Sequence, residues 1–242
     1  MKTKITSSLL MFLLSLSLTS CYFDDIDGRG PVVKQELVLP TFESIDFQIA
    51  GEVTIIQGAE QKVLVTSQRN IIEKLSTRVV NDNWEISLEH GRYDYDVMSI
   101  TIIVPNVEDI RLSGSGTITL DDFEVQNNME FILAGSGKII IGEISGPAFV
   151  NAEVIGSGSI IANKPFNGLH QLDVEILGSG MFTGFQMETD VCHVDITGSG
   201  SAQVHPNSSL VVNIDGSGSV FYKGNPSIST SITGSGRVID SN

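Results

Sequence analysis

The sequence predicts an all-β chain wound as a right-handed parallel β-helix, a β-solenoid with coils of about 20 residues. Three observations carry that prediction. Gly-Ser-Gly recurs seven times, beginning at Gly114, Gly135, Gly156, Gly178, Gly198, Gly216 and Gly234, in steps of 21, 21, 22, 20, 18 and 18 residues. Aligned on the first Gly, the position two before it is always aliphatic: Leu112, Leu133, Val154, Ile176, Ile196, Ile214, Ile232. Polar residues fill most of the positions between the apolar ones, so each segment reads as a strand with one buried face. Self-similarity at a fixed period of this length marks a stack of turns. An antiparallel meander turning at Gly-Ser-Gly is the rival, but its alternate turns would lie at opposite ends and need not match.

Taken in chain order, the first element is Met1 to Ser20, with Lys2 and Lys4 ahead of an apolar run from Leu9 to Leu18. That run is too short to span a membrane as a mature helix and has the build of a secretory signal peptide. Its end, Leu18-Thr19-Ser20-Cys21, resembles the lipobox of bacterial lipoproteins, which makes residues 1–20 the expected signal peptide and Cys21 the expected lipidated N-terminus. Several acyl chains on one residue hold a protein stably at a membrane. Residues 21–30, with Asp24, Asp25, Asp27, Gly28 and Gly30, read as a flexible tether. The acidic pair Asp24-Asp25 resembles an export signal to the outer face of some Gram-negative outer membranes.

Residues 31–242 read as a single solenoid domain. Within it, 31–108 form irregular early coils, with strands expected at Ser44–Ile49, Glu52–Ile56, Lys62–Thr66, Trp84–Leu88 and Met98–Val104, and one helical turn near Asn70 to Leu75. Residues 109–242 form the regular coils. In each regular coil a first strand leads to the corner and a second follows it, since the second residue beyond the closing Gly is Ile118, Ile139, Ile160, Phe182, Ala202, Val220 or Val238. Each corner serine can bond within its own turn or stack as a hydroxyl ladder.

Removal of residues 1–20 leaves 12 basic against 29 acidic residues. Such a surface repels nucleic acid and anionic lipid, so neither is expected as a partner. Cys192 is the only cysteine besides Cys21; no disulfide framework is available, and an inward column suits a buried, inert thiol.

Candidate ligand residues fall in two groups. The outward acids Glu153, Glu175 and Asp195 occupy one column, so carboxylates repeat about every 5 Å up one face. A cation could relieve their repulsion, but a solvated face explains them as well, and neither metal nor cofactor is expected. The loop His90 to Asp96 carries Arg92, Tyr93 and Tyr95, which could grip a glycan or peptide; covering one end of the solenoid would account for it equally. Trp84 is expected to fill core. An enzymatic reading would use Asp173, Glu175 and His193 as a carbohydrate-active site. Acids and a histidine on an exposed face are commonplace, and the seven equivalent serines argue for structure over nucleophiles.

The order of motifs, from Phe42-Glu43-Ser44-Ile45-Asp46-Phe47 and Gly51-Glu52-Val53-Thr54-Ile55-Ile56-Gln57-Gly58 through Ile102-Ile103-Val104-Pro105 to Ile110-Arg111-Leu112-Ser113-Gly114-Ser115-Gly116, resembles the auto-transporter adhesin head GIN domain family over nearly all of the chain beyond the signal. The resemblance implies a secreted or lipid-anchored β-helical domain and supplies no catalytic residues. The expected function is therefore a non-enzymatic, lipid-anchored envelope protein of a Gram-negative outer membrane, adhesin-like or structural, with a glycan or surface protein as partner. A β-helix carbohydrate-active enzyme and a periplasmic envelope component are the alternatives.

Overall fold

Alternation of period two cannot be satisfied by a helix, and the computed structural model, which describes residues 25–125 and 127–242, is 65% strand and 2% helix. It is a β-solenoid whose regular part makes about six turns at roughly 21-residue spacing. Each turn has three sides. The first sheet holds the strands that lead into the corners: Asp109–Gly114, Met129–Gly135, Phe149–Gly156, Gln171–Gly178, the later parts of Met181–Gly198 and Ser201–Gly216, and Ser227–Gly234. The second sheet holds those that leave them, from Thr117–Leu120 to Arg237–Asp240. A short third sheet of Phe123–Glu124, Ile144–Ser145 and Phe166–Asn167 closes the triangle.

Every coil-to-coil pairing in the regular part is parallel; the register shifts between Thr183 and Glu188 and between Thr189 and Val191, but throughout the first sheet it is kept, so there the sequence columns are spatial columns. Leu112, Leu133, Val154 and Ile176 stack directly on one another. The inward residues form the core, with Phe47, Phe131, Phe182 and Trp84 at 0% exposure. Trp84 packs against Phe42 with ring centroids 5.5 Å apart, and its indole N–H donates to the Ser76 carbonyl at 3.0 Å.

The corners are held by backbone. Ser136, Ser157, Ser179, Ser199, Ser217 and Ser235 each donate their N–H to the first corner glycine of the preceding coil at 2.8–3.0 Å. The expected hydroxyl ladder is realised at one step among the described residues, Ser235 Oγ to Ser217 Oγ at 3.0 Å. The first glycine of each corner has φ between +114° and +149°, and a Cβ on Gly156 would stand 2.6 Å from the Gly135 carbonyl oxygen. That combination admits no side chain.

The early coils do not stack in chain order. Ser44–Phe47 pairs with Asp109–Gly114 on one side and Asn83–Ile86 on the other, and Glu52–Gln57 lies between Thr117–Leu120 and Ser99–Val104. The chain therefore builds the second level first, drops below it, and returns above it. Lys62–Gln68 then joins Ser99–Val104 antiparallel, and Val32–Leu37 joins Lys62–Gln68 antiparallel, extending the second sheet at this end. One helical turn, Arg69–Ile72, buries Ile71 and Ile72 over the end of the core. A hairpin of Val79–Val80 and Asn83–Ile86 turns through Asn81 and Asp82, both at positive φ as a two-residue type I′ turn requires.

One expectation is corrected here. The tether read over residues 21–30 does not reach residue 30: Asp25–Asp27 forms a strand paired in parallel with Arg92–Asp94, and Asn70 Nδ2 donates to the Asp27 carbonyl at 2.9 Å while its Oδ1 accepts from Arg29 N–H at 2.8 Å. The polar composition suggested freedom, but backbone partners lying far away in sequence tie the segment down. Residues 1–24, and with them the expected signal peptide and Cys21, lie outside the described residues.

Two outcomes follow. Gly156→Ala is expected to lower stability by at least about 2 kcal/mol in chemical denaturation, because it adds left-handed strain to overpacking, whereas Ser157→Ala should stay within about 0.5 kcal/mol. Cys192 is fully buried and desolvation pushes its thiol well above the usual range. A thiol reagent should leave it unmodified in native protein and label it only after unfolding.

Candidate functional site

Because register is exact from coil to coil in this sheet, the outward side chains of the first sheet form straight columns that are polar except at Ile132 and Val211. Five residues before the corner the column runs Asn83, Ser44, Asp109, Glu130, Asn151, Asp173, His193, Val211, Ser229. Three before it the column runs Glu85, Asp46, Arg111, Ile132, Glu153, Glu175, Asp195, Asn213, Ser231.

Neighbouring coils pair these groups. Asn151 Nδ2 donates to Glu130 Oε1 at 2.7 Å, Asn213 Nδ2 donates to Asp195 Oδ1 at 2.6 Å, and His193 Nδ1 lies 3.0 Å from Asp173 Oδ1. Gln171 Nε2 also donates to Asp173, at 3.0 and 3.2 Å to its two oxygens. Toward the capped end Ser44 Oγ donates to Asp109 Oδ2 at 3.0 Å, and Asp46 accepts from Ser113 Oγ at 3.1 Å and Gln48 Nε2 at 2.7 Å. Each carboxylate in these pairs keeps oxygen lone pairs free for a further donor.

Two shallow depressions lie on this face. One, of about 250 Å³, is lined by Ser44, Asp46, Asn83, Asp109, Arg111 and Glu130 among others. The other, of about 500 Å³, includes Asp109, Glu130, Asn151, Asp173 and Phe149. They share Asp109 and Glu130, so the outward face of the first sheet carries one continuous polar strip.

Sequence reasoning placed Glu153, Glu175 and Asp195 in one column, and the register sets them side by side. Glu153 and Glu175 make no hydrogen bond or ion pair with other described residues, while Asp195 is held by Asn213. Among the described residues no three His, Cys, Asp or Glu side chains converge as metal ligands would. The Asp173–His193 approach expected for an enzymatic reading is present, but Glu175 faces Asp195 rather than joining it.

Arg92, Tyr93 and Tyr95 do not join the acids in one surface. They belong to the end level of the stack, about four levels from Glu153, or roughly 20 Å. Both tyrosines serve the fold: Tyr93 Oη donates to the Glu89 carbonyl at 2.9 Å and Tyr95 Oη to the Ala50 carbonyl at 2.7 Å. Burial pushes both phenols up from their ordinary value. Arg92 remains exposed. What sequence reasoning missed as site residues are Asp46, Asp109 and Glu130. The one signal available was that Asp109 and Glu130 share a column with Asp173, and nothing in the repeat announced that Ser44–Phe47 stacks beneath them.

No helix among the described residues is long and apolar enough to cross a membrane. No curated protein sequence matches the chain at comparable strength. Solved structures do. A putative adhesin from Bacteroides fragilis NCTC 9343 superposes with a TM-score of 0.81 at 18% identity, covering 89% of this chain and 99% of its own. A putative lipid binding protein from Parabacteroides distasonis ATCC 8503 gives 0.78 at 24%, covering 90% and 100%. A putative adhesin from Parabacteroides merdae ATCC 43184 gives 0.70 at 20%, covering 90% and 100%. At these identities the likeness is one of fold. The family model described as "Putative auto-transporter adhesin, head GIN domain" matches residues 41–226, and the chain belongs to that family.

Proposed function

We propose that this chain is a lipid-anchored envelope protein of a Gram-negative bacterium, displayed on the outer membrane, that acts as a non-enzymatic adhesin-like binding module. The outward strip of the first sheet is its contact surface, and an extended glycan or a surface protein is its partner. The observation that carries this reading is the repetition of pre-oriented pairs, Glu130 with Asn151, Asp173 with His193, and Asp195 with Asn213, each bridging two coils. A rigid row of acceptors and donors at coil spacing complements a partner that itself repeats, such as a polysaccharide with vicinal hydroxyls. The pairs are accessible: the side chains of His193 and Asp173 are 42% and 34% exposed.

The interior cannot serve instead, because it is packed with side chains such as Phe131 and Phe182. The lipid-binding description of one similar structure is therefore not carried over to the core of this one. Membrane attachment rests on Leu18-Thr19-Ser20-Cys21, and the family's adhesin description supports an envelope or surface location. The Asp173–His193 pair is the one feature that favours a carbohydrate-active enzyme.

Protease treatment of intact cells separates the locations: the account expects the protein to be digested without lysis and to be released from the membrane fraction by Cys21→Ala, and protection until lysis would make it periplasmic. On a glycan array Asp173→Ala should weaken binding about tenfold, the equivalent of ~1.4 kcal/mol. Turnover of any bound glycan that disappears with the same substitution would establish the enzymatic reading instead.

A further inference from the structure

The two ends of the stack are finished differently. At the chain's early end the outermost strand of the second sheet, Val32–Leu37, carries Lys34 and Glu36, and Glu36 forms an ion pair with Lys62 at 3.1 Å; the second sheet's last strand at the later end, Arg237–Asp240, is charged as well, so the uncharged edge belongs to the first sheet alone. Charges on an edge discourage another chain from pairing with it. At the other end Ser227–Gly234 pairs only with Ser201–Gly216 among the described residues. It has no charged residue, and none occurs from Gly224 to Gly236 in a chain of net charge −15. Its inward residues are left uncovered: Ile228 is 42% and Ile232 41% exposed, where Leu210 and Ile214 one coil earlier are at 0% and 2%. The neighbouring third side is closed, because Gly224 N–H donates to Asn242 Oδ1 at 2.9 Å and Asn242 Nδ2 donates to the Gly224 carbonyl at 3.0 Å.

The open strand also reads almost the same in both directions. About Thr230, Ser229 mirrors Ser231, Ile228 mirrors Ile232, and Ser227 mirrors Thr233. Its hydrogen-bonding direction follows from earlier coils. Gln171 and Val191, seven residues before their corners, donate N–H back to Ala148 and His170 of the preceding coil. Ser227, Ser229 and Ser231 occupy that same phase, so the residues between them, Ile228, Thr230 and Ile232, turn their N–H and C=O to the open side.

From this we infer that Ser227–Gly234 is a self-association edge whose occupant is a second copy of this chain, paired antiparallel about a two-fold axis through Thr230. In that register Thr230 faces its own counterpart and Ile228 faces Ile232 of the other copy, each opposed pair exchanging both backbone hydrogen bonds. The isoleucines then continue the two hydrophobic interiors into one. The outward serines, Ser229 opposite Ser231, bring no charge together. A heterologous parallel stack would instead have to place this edge on the early end of the first sheet, where Val79–Val80 already covers Asn83–Ile86 and runs antiparallel to the stack. Since Asp25–Asp27 pairs at that early end, these two strands lie at the far ends of the dimer, with the polar strips of both copies exposed.

The register gives the test. In the proposed pairing Ser229 and Ser231 of opposite copies form a non-hydrogen-bonded pair with Cα atoms about 4.5 Å apart, within disulfide reach. The full chain carrying Cys21→Ala, to remove the competing thiol, is made as Ser229→Cys and as Ser231→Cys and oxidised singly and mixed. The mixture should give several-fold more disulfide-linked dimer than either variant alone. Thr230→Lys in both should abolish the excess and shift sedimentation from dimer toward monomer mass, with an unchanged β-sheet circular dichroism spectrum. Equal linking by the single variants would exclude this register, and monomer mass before substitution at tens of micromolar would exclude the dimer; either result overturns the inference. Neither result depends on whether a glycan binds the outward strip.

Discussion

Backbone lies directly on backbone at every corner of this solenoid, and that contact sets the rest. The first glycine of one corner occupies the space over the carbonyl of the corner below, in a conformation closed to other residues, so no side chain can intervene. A corner that cannot slip fixes the phase of the two strands that meet there. With phase fixed, alternation sends the same columns inward in every coil, and the aliphatic stack from Leu112 to Ile214 follows. The serine between the glycines contributes chiefly its N–H, which explains why a small residue suffices there and why the hydroxyl bond at Ser235 is a local addition.

The same fixed register turns single surface residues into rows. A carboxylate on one coil meets an amide or imidazole on the next at 2.6–3.0 Å, so the side chains of the strip hold one another in place. The price of the architecture is its two ends, where a parallel stack exposes unsatisfied strands. The early end is closed by chain that doubles back antiparallel and by a short helix bearing Ile71 and Ile72, and its edge is charged. Among the described residues the later end is covered on its third side by Ser241 and Asn242, bonded to Tyr222 and Gly224.

Most of the regular part could be read from residue order because its determinants are local: a tripeptide for the corner, period two for the faces. The pairing of Glu153 with Glu175 and of Asp173 with His193 came from the same columns. What escaped was set by contacts distant in sequence. Ser44–Phe47 looks like any other strand, and its place between Asn83–Ile86 and Asp109–Gly114 depends on which coil the chain reaches next. The polar depression around Asp46 and Asp109 was hidden for that reason. Tyr93 and Tyr95 looked available for a ligand, and their hydroxyls are taken by the carbonyls of Glu89 and Ala50. Asp25–Asp27 had the composition of a tether and is a strand only because Arg92–Asp94 offers it an edge.

The central claim, that corner-to-corner backbone bonding holds the stack, is tested most directly by native-state hydrogen exchange at the corner amides. Ser136, Ser157, Ser179, Ser199 and Ser217 sit in what would be exposed turns of an ordinary meander, yet each N–H here is bonded to the coil below. The account predicts that they exchange as slowly as the strand amides of Val154 and Ile176, opening only with the coil as a whole. Exchange at the rate of free turns, with the strands still protected, would contradict it.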